Sequence, residues 1–470
     1  MKPVKTKIIA TLGPASSSVT TITKMIKSGV DLFRINFSHA DAEFAGDLVS
    51  IVRKASGTLG EPVGILADLQ GPKIRVGVFE SGSISVKKGD IVTITTRKVK
   101  GRKGIIPTIY PLFAKDVAVN SNILINDGLI KLKAIGKAGK EVKCRVLNGG
   151  EIKNHKGINL PGVKISSPSL TSKDKKDLLT VSKLGIDYIG YSFVRSPDDV
   201  TKIKRFMAAH KVSIPVIAKI EKPEALSNIE EIIRLSDGIM VARGDLGVEI
   251  PIEDVPPAQK KIISLANMGR IPVITATQMM ESMIESPVPT RAEVSDIANA
   301  VFDGTDAVML SGETSVGKYP VKAVGLMNRI VRKAENSVYE PGIVNEIDHN
   351  IDDFSFSVVH AACEAANEAA ADWIIVYTQT GKTALNISKR KPPTNVIALS
   401  SSQKTVNRMC LLKGIFPFKI RDCKSYREII KEGKKILLAK RIIKKGQVLV
   451  IITGETTDDF SANTLKIVRV

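Results

Sequence analysis

Cysteine is scarce in this 470-residue chain: there are four, at Cys144, Cys363, Cys410 and Cys423, and no two form a CxxC pair. A disulfide framework and a thiolate zinc site are therefore not indicated. The five histidines are scattered and make no HExxH, so any bound metal is expected on oxygen ligands. One Trp and seven Tyr leave few rings on which single-stranded nucleic acid could stack. The longest apolar runs, such as Leu449 to Ile452, fall far short of a membrane span. The Lys-bearing start runs at once into a strand-like segment rather than a signal-type apolar stretch, so a cytoplasmic protein with no membrane partner is expected.

What is abundant is positive charge: Lys plus Arg number 69 against 48 Asp plus Glu, a formal +21. The lysines are spread over every segment instead of gathered in one stripe, so a small, highly anionic substrate or a lysine-rich surface explains them better than a nucleic-acid partner. At this length, with 43% hydrophobic residues, the chain exceeds one ordinary domain and has ample material for a core.

The stretch from Val216 to Pro251 organises the rest. An apolar run, Val-Ile-Ala-Lys-Ile-Glu, ends in Lys219 and Glu221, and a second, Gly-Ile-Met-Val-Ala, ends in Arg243-Gly244-Asp245. Each is short, Ile- and Val-rich and bounded by Pro or Gly, as a fully buried parallel strand reads. Between them a helix starting near Pro223 carries Leu226, Ile229, Ile232, Ile233 and Leu235 on one face. The unit is strand, crossover helix, strand, so two charged strand ends face one site. A hard divalent cation takes one or two carboxylates and leaves positions for substrate oxygens and water. Glu221 and Asp245 fit that need with Lys219 as a fixed positive charge beside them, although a structural ion pair at a rim would use the same residues.

Taken in order, strand-like and helical runs alternate from Lys7 to Asp68, break, and resume at Thr171. Eight strand and helix pairs result, the count of a closed (β/α)8 TIM barrel. Between Gly71 and Pro168 the pattern has period two with turn signals, which reads as a β domain inserted after the third strand. Glu340 to Asp353 reads as a linker, and an alanine-rich helix followed by α/β alternation reads as a third domain. The expected division is 1–70 with 169–340 as barrel, 71–168 as inserted domain, and 341–470 as C-terminal α/β domain.

The other strand ends are unusually polar: Arg34, Asn36, Ser38 and His39 after the second strand, Asp68 after the third with Lys73 and Arg75 following, Thr277 after the seventh, Ser311 and Glu313 after the eighth. Each alone reads as a cap or turn; together they form a basic rim around two carboxylates. Gly312 to Lys318 has the GxxxxGK spacing of a phosphate loop, but Tyr319 stands where Ser or Thr would reach a metal and Pro320 follows, so it reads as the loop after the eighth strand.

Eight segments carry a resemblance. Arg34 to His39 (Arg-Ile-Asn-Phe-Ser-His), Asp68 to Arg75, Asn126 to Ile130, Lys156 to Pro161, Lys219 to Glu221, Ala242 to Gly247 (Ala-Arg-Gly-Asp-Leu-Gly), Ala276 to Met279 and Ser311 to Glu313 resemble, in order, the pyruvate kinase family. The resemblance implies the same three-domain layout and phosphoryl transfer from phosphoenolpyruvate to ADP, giving pyruvate and ATP. It implies Mg²⁺ (or Mn²⁺) on Glu221 and Asp245, and Lys219 beside the transferring phosphoryl and developing enolate. Arg34 would hold the substrate phosphate, while the backbone of Ala242, Arg243, Gly244 and Asp245 and the Thr277 hydroxyl would hold its carboxylate. Thr277, Ser311 and Glu313 would join the proton relay to the enolate carbon. Asn36, His39, Arg75 and Lys156 match nucleotide-contacting positions, and Asp127 a residue of the closing lid.

Two departures from the family pattern carry expectations. Where many members have Thr and Glu, this chain has Leu69 and Lys73. The monovalent-cation site, here Asn36, Ser38, Asp68 and Leu69, is then replaced by the Lys73 ammonium, and K⁺ is not expected to be required. Thr378, Thr380, Gly381, Lys382 and Thr383 resemble the family's effector phosphate loop. Thr457-Asp458-Asp459-Phe460, however, puts acids where a glycine-rich effector loop is common, so activation by fructose 1,6-bisphosphate is not expected, and a sugar phosphate, AMP or no effector stays open. A homotetramer is implied, and the family's N-terminal helical extension is expected to be missing. Two rivals stand beside this reading: a lyase or aldolase barrel with a similar metal pair, and a basic nucleic-acid-associated protein.

Overall fold

The computed structural model describes residues 4–337, 354–423, 425–453 and 463–470. The linker read at Glu340 to Asp353 and the acidic segment Thr457 to Phe460 lie outside the described residues.

Eight parallel strands close into a barrel: Lys7–Thr11, Leu32–Asn36, Gly64–Asp68, Tyr188–Val194, Val216–Ile220, Gly238–Ala242, Val273–Ala276 and Ala307–Leu310. They pair in sequence order, and the eighth closes on the first through Lys7 against Ala307. Each is buried on both faces, which is why the strands read as continuous apolar runs. Ile9, Leu32, Leu66, Ile217, Met240 and Ile274 cluster inside the barrel. Their chain neighbours, including Ile8, Phe33, Ile65 and Ala218, pack outward among residues of the surrounding helices.

Between the third and fourth barrel strands, residues 83–159 form two further sheets. One pairs Ser83–Val86 with Gly150–Lys153, and the other has six strands in the order Ile158–Asn159, Asn122–Ile125, Ile130–Ala138, Glu141–Asn148, Ile91–Thr95, Ile105–Pro107. This body has its own core, built on Phe79, Ile94, Phe113, Ile125 and Val142 among others. The C-terminal region is a five-stranded sheet ordered Ile415–Lys419, Val396–Ser400, Trp373–Tyr377, Val448–Thr453, Thr464–Arg469, with only the last strand antiparallel.

The helix expected from Pro223 onward breaks in two, Pro223–Ser227 and Ile229–Leu235, at Asn228. The Asn228 amide donates to the carbonyls of Arg195 (3.1 Å) and Glu224 (2.9 Å), and this side-chain bonding competes with a continuous backbone ladder. Arg243-Gly244-Asp245 does not extend the sixth strand but opens a short helix, Arg243–Glu249. The phosphate-loop lookalike is a single helical turn, Gly312–Ser315, and the next helix begins only at Pro320, so no phosphate cradle forms there.

The C-terminal domain caps the barrel's floor. Cys410 and Leu411 join the interior cluster, and Tyr188 donates through its hydroxyl to the Arg408 carbonyl at 2.8 Å. Lys7 is buried there, donating to the Ile415 carbonyl at 2.8 Å with its ammonium 4.8 Å from the centre of the Phe416 ring. Lys389 pairs with Asp306, both almost fully buried, and burial lowers the lysine's pKa despite this partner. With the N-terminal strand ends occupied, the C-terminal rim is the open end of the barrel, the end at which barrel enzymes place their chemistry.

Asp306 also accepts the Val273 backbone N–H at 2.7 Å. Asp306→Ala is expected to cost about 3–5 kcal/mol by leaving Lys389 buried without its carboxylate, read as a lower urea midpoint. The paired variant Asp306→Asn with Lys389→Met keeps the acceptor, removes both charges, and should recover most of that loss.

Candidate active site

Strand parity builds the site. The residues that follow the interior apolar ones by two positions share their inward face and lie at the upper rim. Thr11 follows Ile9, Arg34 follows Leu32, Asp68 follows Leu66, and Lys219 and Glu221 follow Ile217. The polar strand ends thus converge because eight strands close, not because they are near in sequence.

Asp68 is the hub. One of its oxygens accepts Arg34 Nε at 2.7 Å and Nη2 at 2.6 Å, and the other faces Lys219 Nζ at 3.2 Å. Lys219 also bonds Glu221 Oε1 and Ser192 Oγ, each at 2.8 Å. Arg34 reaches Thr11 Oγ1 at 3.1 Å. Burial favours the neutral form of Asp68, but the charges of Lys219 and Arg34 outweigh it and hold the carboxyl below its usual range. Burial likewise opposes charge on Lys219, yet Asp68 and Glu221 more than reverse this, so its pKa is raised and the ammonium persists through neutral pH. Glu221 is raised: burial is the main cause, Lys219 offsets part of it, and the nearby charge of Asp245 adds to it. A carboxylate whose ionisation is opposed first by burial and then by a second carboxylate is a fitting ligand for a divalent cation. Among the described residues no cluster of three His, Cys, Asp or Glu is arranged for a metal, so such a cation would rest on two protein carboxylates and on oxygens from its substrate.

After the seventh strand Thr277 and Gln278 both take left-handed backbone, φ 68° and 53°. For a β-branched residue this is strained. The Arg243 guanidinium holds the turn, donating to the carbonyls of Thr277 (2.7 Å) and Gln278 (3.3 Å) while pairing with Asp296 at 2.7 Å. Thr277 Oγ1 in turn accepts the Gly244 N–H at 2.7 Å and donates to Ala276 at 2.6 Å. The Arg243 side chain therefore braces the rim, leaving only its backbone for a ligand. Glu313, fully buried, ties the last two strand ends together by accepting the N–H groups of Met280 (3.0 Å) and Ser311 (2.6 Å). The Ser311 hydroxyl is buried without a hydrogen-bond partner among the described residues.

Asn36 accepts the Ser38 N–H at 3.0 Å. The pKa of His39 is lowered by desolvation, then by the charges of Arg75, Lys73 and Arg34, so three cations share one side of the rim with a neutral imidazole. Leu69 is buried, and its carbonyl accepts the Ser192 hydroxyl at 2.7 Å. Arg75 bonds the His155 carbonyl at 3.2 Å and pairs with Gly157, which brings Lys156 to the same edge of the inserted sheets. Asp127 lies in a left-handed loop, Asn126 to Gly128, and does not join the Lys219 cluster; its charge reaches Glu281, on the loop after the seventh strand. Thr378 to Thr383 lie in the C-terminal domain, where Thr378 Oγ1 accepts the Gly381 N–H at 3.0 Å ahead of the helix Lys382–Arg390.

Sequence reasoning missed Thr11, Ser192 and the bracing role of the Arg243 side chain. For Thr11 and Ser192 the available signal was parity, since both lie two positions beyond an inward-facing position of a strand already recognised. For Arg243 there was none, because Asp296 is on a distant helix.

Two family models match. "Pyruvate kinase, barrel domain" covers residues 3–324, and "Pyruvate kinase, alpha/beta domain" covers residues 357–468. The chain belongs to the pyruvate kinase family. It is 40% identical to the pyruvate kinase of Thermotoga maritima over 99% of both chains. It is 41% identical to pyruvate kinase 2 of Synechocystis, covering 98% of this chain and 78% of that one, and 41% identical to the pyruvate kinase of Geobacillus stearothermophilus, covering 99% and 80%. Membership in the pyruvate kinase family brings metal dependence with it and removes the lyase barrel as an alternative.

Arg243→Ala should release about 1–3 kcal/mol of backbone strain at Thr277. The Gly244 N–H, which depends on Thr277 Oγ1, is expected to exchange with deuterium at least roughly tenfold faster than in the parent protein, measured by residue-resolved hydrogen exchange.

Proposed function

We propose that the rim around Lys219 transfers the phosphoryl group of phosphoenolpyruvate to ADP, and that the residues named above divide the work as follows. Lys219, charged and desolvated between Asp68 and Glu221, is the observation that carries the reading. The transferring phosphoryl spreads charge over its oxygens, and a fixed ammonium in a water-poor site stabilises that charge without reorganising. The phosphorus–oxygen bond to the enol breaks, a bond to the terminal oxygen of ADP forms, and the enolate left behind takes a proton at carbon to become pyruvate.

Arg34 holds the substrate phosphate, and Asp68 aims the guanidinium by taking two of its N–H groups. Backbone groups of Ala242 to Asp245, with Thr277, hold the substrate carboxylate. Glu221 and Asp245 would hold Mg²⁺ (or Mn²⁺), which supplies charge neutralisation at the phosphoryl and enolate oxygens. Lys219 keeps its proton, so it serves as a cation and not as the base; the Thr277 and Ser311 hydroxyls with Glu313 carry the proton to carbon. Asn36, His39, Arg75 and Lys156 receive the nucleotide, with Asp127 on the lid.

Activity without added K⁺ is part of the proposal. The oxygens of Asp68 already accept Arg34 and Lys219, Asn36 accepts Ser38, and the Leu69 carbonyl accepts Ser192, while the Lys73 charge is felt at His39 on the same rim. We take 1–70 with 169–340 as the catalytic barrel, 71–168 as the lid and 341–470 as the regulatory domain, in keeping with separate hydrophobic cores. The Thr378 to Thr383 loop is the candidate effector site. A cytoplasmic homotetramer is the family expectation; among the described residues no helix is long and apolar enough to cross a membrane.

A coupled assay of pyruvate formation from phosphoenolpyruvate and ADP with Mg²⁺ is expected to show turnover without K⁺. Lys219→Met should lower kcat by on the order of 10³, as for a lost transition-state charge. Equal rates in the variant would mean that the lysine is misassigned, and strict dependence on K⁺ would refute the role given to Lys73.

A further inference from the structure

The inserted sheets touch the barrel sparingly. Among the described residues, one hydrogen bond joins a side chain of these sheets to a side chain of the barrel: Asn159 Nδ2 donates to Glu249 Oε1 at 3.0 Å. Glu249 is the last residue of the short helix that carries Asp245, and its side chain is only 2% exposed. The same Oε1 accepts Lys222 Nζ at 2.7 Å, and Lys222 is the residue after Glu221. The Lys222 ammonium lies 5.6 Å from the centre of the Phe193 ring, and the Phe193 N–H donates to Glu221 Oε2 at 3.0 Å. Glu249 thus stands between the lid and both carboxylate-bearing strand ends.

On the lid side, Asn159 sits two residues beyond Gly157. The Gly157 carbonyl accepts the Asn126 N–H at 3.1 Å, and Gly157 pairs with Arg75. The edge held by Asn159 therefore carries Lys156, Arg75 and the Asp127 loop together. The charge arrangement suits a contact that opens and closes. A buried carboxylate whose sole partner departed would be costly to leave behind, but Lys222 compensates Glu249 whether or not Asn159 is present. Only a neutral amide has to leave, and it finds water when it does.

We propose that Asn159 and Glu249 form the latch that holds the lid shut over the rim, with Lys222 keeping the latch plate charged and in place while the lid is open. Both are positioning residues, and the proposal rests on the phosphoryl-transfer reading only for its kinetic consequence. A hydrogen bond to a charged acceptor shifts a two-state balance by roughly 10- to 100-fold. The lid should lose closed population by that factor when the amide is removed.

The test measures lid position directly. Spin labels at Lys131→Cys on the inserted sheet and Glu230→Cys on the barrel flank sample exposed sites, and the four native cysteines are buried and slow to label. Pulsed electron paramagnetic resonance then gives the distance distribution between them. Asn159→Ala is expected to move the distribution toward longer distances with thermal unfolding unchanged, and Asn159→Asp, which sets a second carboxylate against Glu249, to move it further. In steady-state kinetics the KM for ADP should rise about tenfold, because Arg75 and Lys156 travel with the lid, while the KM for phosphoenolpyruvate, bound by barrel residues, changes less than twofold. Distributions identical to the parent in both variants, or equal rises in both KM values, would overturn the latch. Absence of turnover in the parent would refute the catalytic reading alone, since the distances decide the latch without it.

Discussion

The structure depends on one buried charge network: Asp68 between Arg34 and Lys219, with Lys219 passing on to Glu221. Four ionisable groups inside a barrel rim are costly to desolvate in their charged forms, and well-packed apolar residues would serve stability as well or better. Their retention makes sense as chemistry. The network keeps Lys219 protonated and Asp68 ionised where water is sparse, and it leaves Glu221, pressed by Asp245, short of compensating positive charge.

Everything around the network holds it in place. The barrel floor is closed by the C-terminal domain through Cys410, Leu411 and the Lys389–Asp306 pair, which leaves the upper rim as the open end. Arg243 turns its guanidinium away from the cavity and braces a strained turn so that Thr277 presents its hydroxyl to Gly244. Glu313 does the same between the seventh and eighth strand ends with two backbone N–H groups. Both braces are charged side chains that lie apart from the Lys219 cluster and fix the backbone of neighbouring strand ends.

Much of the architecture was legible because parallel strands buried on both faces must be short, branched and apolar, and because helices between them repeat with a different period. The eight-strand count, the β insertion after Asp68 and the α/β C-terminal region all follow from that contrast. Boundaries were less legible where side chains compete with backbone, as at Asn228, and where a strand end passes directly into a helix, as at Arg243. The rim residues were legible as polar exceptions at strand ends, and the motifs around Arg34, Asp68, Lys219 and Asp245 matched a family before any contact was known.

By itself the sequence determined which residue types were available and at which strand ends, since local patterning places Lys219 and Glu221 at one terminus and Asp245 at the next. Only the tertiary structure decided that Asp68 serves Arg34 and Lys219 together, that Ser192 joins them, that Arg243 reaches Asp296 and that Asn159 meets Glu249. These contacts span from 27 residues of chain, Ser192 to Lys219, to 219 − 68 = 151, Asp68 to Lys219. Those among Asp68, Arg34, Lys219 and Ser192 arise because barrel closure brings inward-facing positions onto one ring, a constraint that acts on the closed sheet and leaves no trace in local periodicity.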